Sequence, residues 1–124
     1  MGLLDGKKAA IFGVANDRSI AWAISEALHA EGAELAFTFA GEILEKRVGP
    51  LAEGIGSKII LPCHVTKDEE IEKVFTTLKQ EWGGLDIMIH AIAFARKEDL
   101  ANPYVQTSRH GFHLAMDVSA YSMV

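Results

Sequence analysis

The sequence carries a single cysteine, Cys63, in 124 residues, so an internal disulfide is excluded and a reducing compartment fits. A lone cysteine is either a small buried apolar residue or a reactive thiol, and the first is the expectation here. Positive charge is also scarce. Twelve Lys and Arg against seventeen Asp and Glu give a formal net charge of −5, which argues against nucleic acid or an anionic membrane as the main partner. An anionic ligand would need local donors instead of a global field. The N-terminal stretch MGLLDGKK has no long apolar run, so neither a signal peptide nor a transmembrane span is expected, and the cytoplasm is the default location. Internal repeats, low-complexity tracts and linkers are missing too. What remains, 49% apolar and 23% charged, is the composition of one folded globular domain.

Short apolar runs alternate with helical patterns. KAAIFG (8–13), ELAFTF (34–39), KIIL (58–61) and LDIMIHAIAF (85–94) read as strands, the last apolar on both faces like a central parallel strand. Ile20, Ala23, Ile24, Ala27 and Leu28 follow helical spacing, with Gly32 just past the end. Gly49-Pro50 predicts a break in the next helix, because an internal proline removes a donor and clashes with the preceding turn. Thr66 and Glu69 predict a capping box at the start of a third helix. That helix carries the apolar stripe Ile71, Val74, Phe75, Leu78 and Trp82, and Gly83-Gly84 stops it. A loop around Asn102-Pro103 and a helix from about Thr107 to the end complete the chain. This alternation predicts right-handed β-α-β units on a parallel sheet. Ligands then bind at the carboxyl ends of the strands, after Phe12, Phe39, Leu61 and His90.

The first strand-to-helix turn also lacks something. Phosphate-binding turns commonly carry three glycines as G-x-G-x-x-G, yet GVANDRSIAWAI has only Gly13. Gly13 can turn sharply at no steric cost. Ser19 stands at the N-cap of the following helix, whose free N–H groups and dipole favour an anion. The turn is thus either a pyrophosphate site or an ordinary capped connection.

Four segments carry a resemblance: GVANDRSIAWAI (13–24), AEGAELAFTF (30–39), MIHAIAFA (88–95) and GFHLAMDVSAYS (111–122). In this order and spacing the chain resembles the N-terminal half of the NADH-dependent bacterial enoyl-[acyl-carrier-protein] reductases, a divergent branch of the short-chain dehydrogenase/reductases. The resemblance implies a Rossmann-like doubly wound parallel α/β sheet, truncated to about four strands with flanking helices. Residues 1–124 would be the N-terminal part of one dinucleotide-binding domain. It implies reduction of the trans-2 double bond of an enoyl group on acyl-carrier protein, in fatty-acid synthesis, by a homotetramer. Carried onto matching positions, Gly13, Ser19 and Ile20 would line the pyrophosphate and adjoining ribose. Ala40 would face the adenosine ribose, His64 and Val65 the adenine, Ile92 the nicotinamide-side ribose, and Ala95 the acyl substrate.

Several positions depart from the family pattern. Position 64 is histidine where an aspartate typically accepts from the adenine amino group; a neutral imidazole can accept or stack. Ala40 replaces a frequent polar residue, and Ala91 and Ala93 replace small polar or glycine residues. No Arg or Lys directly follows Phe39, which favours NADH, while Lys46 and Arg47 keep NADPH as the alternative. The tyrosine and lysine expected to stabilise the enolate and bind the nicotinamide ribose lie in the family's second half, so no catalytic residue is assigned here. Tyr121 reads as a helix packing residue. His110, His113 and Asp117 share a helix face that is either a weak metal site or, as expected, a solvated polar face, so no metal is assigned. His90 reads as a packed core residue. Two other readings stand beside the reductase: a non-catalytic or inactive truncated dinucleotide-binding domain, and another short-chain dehydrogenase acting on alcohols or sugars.

Overall fold

The computed structural model describes residues 2–124 and divides into two compact units, one ending at Ala91 and one running from Ile92 to Val124. The first unit alternates strands and helices: β1 (Lys8–Phe12), α1 (Ile20–Ala30), β2 (Glu34–Phe39), α2 (Glu42–Gly54), β3 (Ile59–Pro62), α3 (Asp68–Trp82) and β4 (Ile87–His90). The four strands form one parallel sheet in the order β3-β2-β1-β4. Phe12 is in register with Thr38 and with His90, and Thr38 with Leu61. The carboxyl ends therefore form one even edge, on which the outer strands stand roughly 14 Å apart.

The core lies where α1 and α2 meet the sheet. Ile11, Phe37, Val48 and Ala52 are wholly buried, and Trp22 of α1 packs on Phe37 with ring centroids 6.0 Å apart. Each large side chain so buried contributes about 1.5–3 kcal/mol. Ser19 caps α1, as expected, and its side chain accepts from the Trp22 amide. Gly32, past the end of α1, has φ +96°. Gly83, which ends α3, has φ +75°. A side chain there would be strained, so both stops are chemically enforced.

Four details differ from the expectations. The buried face of α1 is Ala21, Trp22 and Ser25, whereas Ala23 and Ala27 are exposed and Ile20 is 78% exposed. Apolar residues occur on both phases of this helix, and the largest of them, Trp22, sets the orientation. α2 runs unbroken through Pro50. Pro50 is exposed, so the carbonyl that loses its donor faces water, while buried Val48 and Ala52 hold the helix on the sheet. The Thr66–Glu69 capping box does not form: α3 starts after Lys67 with no side-chain cap. Finally, β4 is shorter than expected and, among the described residues, is an edge strand pairing with β1 alone; Met88 on it is 36% exposed.

The second unit holds α4 (Lys97–Ala101), a 3-10 turn (Tyr104–Gln106), α5 (Arg109–Ser119) and a last 3-10 turn (Tyr121–Met123). α4 was not expected, and α5 is shorter at both ends than the sequence suggested. Arg96 binds the chain together, with Nε 3.0 Å from Asp99 Oδ2 and Nη2 2.8 Å from Ser108 Oγ. Ser108 caps α5 by accepting from Gly111 N–H at 2.9 Å. Ser119 Oγ accepts from Phe94 N–H at 2.9 Å and donates to Phe94 O at 3.2 Å. Tyr121 is 64% exposed, so it is not the packing residue expected of it. It lies in the 3-10 turn beyond α5, off the helix face that could pack.

Candidate functional site

Because β1, β2 and β3 follow one another in one direction and β4 lies on the other side of β1, the strand order reverses between β1 and β4. In sheets of this kind a ligand binds at that reversal, beyond the carboxyl ends. Gly13 stands there. Its φ is +115°, and a Cβ on it would lie 2.1 Å from the carbonyl oxygen of Ala91. That carbonyl cannot easily retreat, since the Ala91 amide donates to Phe12 O at 2.9 Å and holds the strands together. Gly13 thus has a packing reason for being glycine, independent of any ligand.

The turn after Gly13 is fixed from within. Ser19 Oγ donates to Asn16 O at 2.9 Å and accepts from Trp22 N–H at 3.3 Å. Asn16 Oδ1 accepts from Arg18 N–H at 2.8 Å. The serine proton is therefore already committed, and the hydroxyl is not an extra donor to a ligand. At the helix start the Ile20 and Ala21 amides remain, which no group among the described residues engages. Two converging amides on a helix N-terminus suit an anionic oxygen. Ile20 presents its side chain to solvent beside them.

Along the same edge, Ala40 is exposed beyond β2, and Gly41 follows as the N-cap of α2 with φ +89°. The first turn of α2, which follows β2 on this edge, carries Glu42 and Glu45. Neither was singled out in the sequence. A carboxylate there suits ribose hydroxyls and repels a 2′-phosphate. Lys46 and Arg47 come in the next part of the helix and are exposed.

Beyond β3, the Cys63 amide donates to Phe39 O at 2.7 Å and prolongs the β2–β3 pairing. The Cys63 side chain is buried, and burial, reinforced by the charge of Glu70, pushes its thiol up to about 11. It remains a thiol at neutral pH, the structural reading and not the reactive one. His64 is exposed, and its neighbour Val65 is half-buried. Glu70, in the first turn of α3, reaches back across the loop: its Oε1 accepts from the His64 backbone N–H at 2.9 Å and lies 3.0 Å from His64 Nδ1. Lys67 Nζ stands 3.4 Å from the other oxygen. The backbone hydrogen bond from His64, followed by that from its ring, holds the Glu70 carboxyl down at about 2, against an ordinary 4.5.

That depression fixes a pH dependence. The interaction contributes fully above about 4.5 and is lost as pH falls toward 2, where Glu70 takes up a proton in the folded state. Glu70→Gln, which cannot titrate, is expected to lose stability less steeply than the wild type across that window. Urea titrations at stepped pH check this, and parallel slopes would contradict it.

Gly13, Ser19, Ile20, Ala40, His64 and Val65 all belong to the first unit, on the carboxyl edge. Ile92 and Ala95 are half-buried and belong to the second unit. His90 is half-buried at the end of β4, less enclosed than expected. Among the described residues no three His, Cys, Asp or Glu side chains gather as a metal site. No helix among the described residues is long and apolar enough to cross a membrane. A cavity of about 560 Å³ opens at the opposite, amino-terminal edge, lined among others by Lys8, Ser57, Lys58, Glu81 and Trp82. It contains none of the predicted residues. The carboxyl edge is the better candidate, since the donors and the strand reversal are there.

The parallel sheet, its reversal beside β1 and the capped helix that follows define a Rossmann-like α/β protein. The chain belongs to the enoyl-(acyl carrier protein) reductase family, whose model matches residues 13–124. It is 51% identical over 124 residues to the enoyl-[acyl-carrier-protein] reductase [NADH] FabI of Aquifex aeolicus, covering 100% of this chain and 46% of that protein. The enoyl reductase structure of Anaplasma phagocytophilum in complex with NAD aligns with a TM-score of 0.93 at 47% identity, over 98% of this chain and 46% of that one. The Bacillus cereus enoyl reductase, solved with NADP+ and an indole naphthyridinone, aligns with a TM-score of 0.94 at 50% identity, over 99% and 49%. The chain spans about half the length of these relatives.

Proposed function

We propose that the carboxyl edge of the sheet binds NADH, and that this chain supplies the cofactor-binding half of an enoyl-acyl-carrier-protein reductase. The observation that carries this reading is the strand reversal at β1, with Gly13 held against Ala91 and two free amides at the Ser19-capped helix start. The 51% identity to an NADH-named reductase, over all of this chain and 46% of that protein, supports it. Ile20 and Ala21 N–H bind the pyrophosphate, with Gly13 and Ser19 shaping the turn. Ala40 leaves room for the adenosine ribose, and Glu42 accepts from its hydroxyls. His64 and Val65 border the adenine; Ile92 takes the nicotinamide-side ribose and Ala95 the acyl chain. Residues 1–124 are then the N-terminal part of one dinucleotide-binding domain.

Bound NADH supplies the hydride that reduces the trans-2 double bond of an acyl thioester carried on acyl-carrier protein. Glu42 and Glu45 in the first turn of α2 favour NADH over NADPH by repelling a 2′-phosphate. NADPH stays as the second reading, because the Bacillus cereus relative was solved with NADP+. Fatty-acid synthesis in the cytoplasm by a homotetramer is the setting the family resemblance supports. Neither Tyr104 nor Tyr121 is followed by a lysine, so the pair that would complete the reaction is not within residues 1–124 and the isolated chain is expected to be inactive. The chain is expected to bind NADH, and NADPH at least tenfold more weakly, without reducing a crotonyl thioester. Fluorescence titration and a coupled absorbance assay check both. Turnover by the chain alone would refute the assignment of catalysis to residues outside it, and equal affinities would refute the role of Glu42.

A further inference from the structure

The loop from β3 to α3 contains a His64–Glu70 side-chain pair. Glu70 Oε1 accepts from the His64 backbone N–H at 2.9 Å and stands 3.0 Å from His64 Nδ1. A backbone N–H can only donate, so this oxygen is an acceptor, and Nδ1 facing it must carry a proton. A neutral imidazole has one N–H. Its other nitrogen, Nε2, is therefore left with a free lone pair, and among the described residues no group engages it. The ring is half-exposed, its side chain 47% accessible, at the carboxyl end of β3. The Lys67 amide donates to His64 O at 3.0 Å, so the loop is pinned on both sides of the ring. Lys67 Nζ, near Glu70 Oε2, holds the carboxylate in place.

We propose that Glu70 is a positioning residue that holds neutral His64 in the Nδ1–H tautomer, so that Nε2 accepts from the exocyclic amino group of an adenine base beyond β3. The base-reading half of this statement rests on NADH being the ligand, as proposed above. The spacing suits it. With the pyrophosphate at the β1 turn, a ribose beyond β2 and a base beyond β3 follow from strands about 4.8 Å apart. An amino group donates to Nε2, whereas the carbonyl of hypoxanthine at the same ring position meets another acceptor and is disfavoured. Without Glu70 the ring is free to adopt the Nε2–H tautomer that histidine favours in water, and the acceptor becomes a donor.

The test has two readouts on the chain. Histidine-selective 15N spectra at about pH 8.5, two units above the ordinary histidine range, report which nitrogen is unprotonated. The expected result is Nε2 in the wild type and in Glu70→Gln, whose side-chain oxygen is held toward His64 by the same backbone N–H. Glu70→Ala is expected to shift the signal toward an unprotonated Nδ1. An unprotonated Nδ1 in the wild type overturns the proposal, as does an unchanged pattern in Glu70→Ala. The second readout compares NADH with its hypoxanthine analogue by titration. The wild type and Glu70→Gln are expected to favour NADH about five- to tenfold, the worth of one hydrogen bond. Glu70→Ala and His64→Phe are expected to lose that preference. If the wild type binds both nucleotides equally, the base-reading role is overturned while cofactor binding stands. If it binds neither, cofactor binding fails with it, and the 15N pattern still decides the role of Glu70.

Discussion

Gly13→Ala is expected to destabilise the first unit by about 3–5 kcal/mol and to remove NADH binding with it. The added Cβ would sit 2.1 Å from the Ala91 carbonyl oxygen, at a φ of +115° that an L side chain rarely adopts. Both obstacles are backbone. Ala91 cannot move away without stretching its hydrogen bond to Phe12 O, which joins β1 to β4 at the proposed site. The cost therefore combines a strained dihedral with a lost strand contact, and rotamer adjustment relieves neither. Urea unfolding followed by circular dichroism gives the shift. A midpoint within error of the wild type would show that the turn tolerates a side chain and that Ala91 can withdraw from Gly13.

Phe37→Ala is the second large effect. Phe37 is wholly buried on β2, the strand flanked by β1 and β3, and touches Trp22 of α1. Its removal takes away a large side chain and leaves a cavity that backbone on both sides prevents from closing, at about 3–5 kcal/mol. Against a total stability of roughly 5–15 kcal/mol for ordinary domains, that loss is a large share. Trp22 fluorescence reports it directly, and its emission is expected to shift to the red with an early urea midpoint. A loss under about 1 kcal/mol would mean that the α1–sheet interface repacks, and that Trp22 does not orient α1 as argued.

The elements that turn chemistry enforces were legible in the sequence. β2 matches its expected span to the residue, and Ser19, Gly32 and Gly83 bound their helices where they were expected to. The carboxyl edge proposed as the site followed from strand alternation alone. What escaped were matters of phase and of long reach. In α1 both Ala23 and Ala21 are apolar, so periodicity could not tell the buried face from the exposed one; the bulk of Trp22 decides it. In α2 a proline rule met a helix whose Val48 and Ala52 are wholly buried while Pro50 faces water. At α3 the expected cap from Thr66 does not form, and Glu70 instead bonds His64, six residues back across a loop. The only signal was a carboxylate in a first helical turn, and Asp68 and Glu69 offered the same signal. The packing role of Gly13 was hidden too, because a strand-end glycine next to a helix reads as a ligand turn whether or not another backbone occupies its Cβ position.

We propose the carboxyl edge of the sheet as the dinucleotide site. Amide NMR of the chain titrated with NADH tests it most directly. Shifts are expected at Gly13, Ser19, Ile20, Ala40, His64 and Val65, with Lys58, Glu81 and Trp82 at the opposite edge unmoved. A folded chain whose spectrum does not change at saturating NADH, or changes around the cavity of Lys8, Ser57 and Trp82 instead, would contradict it.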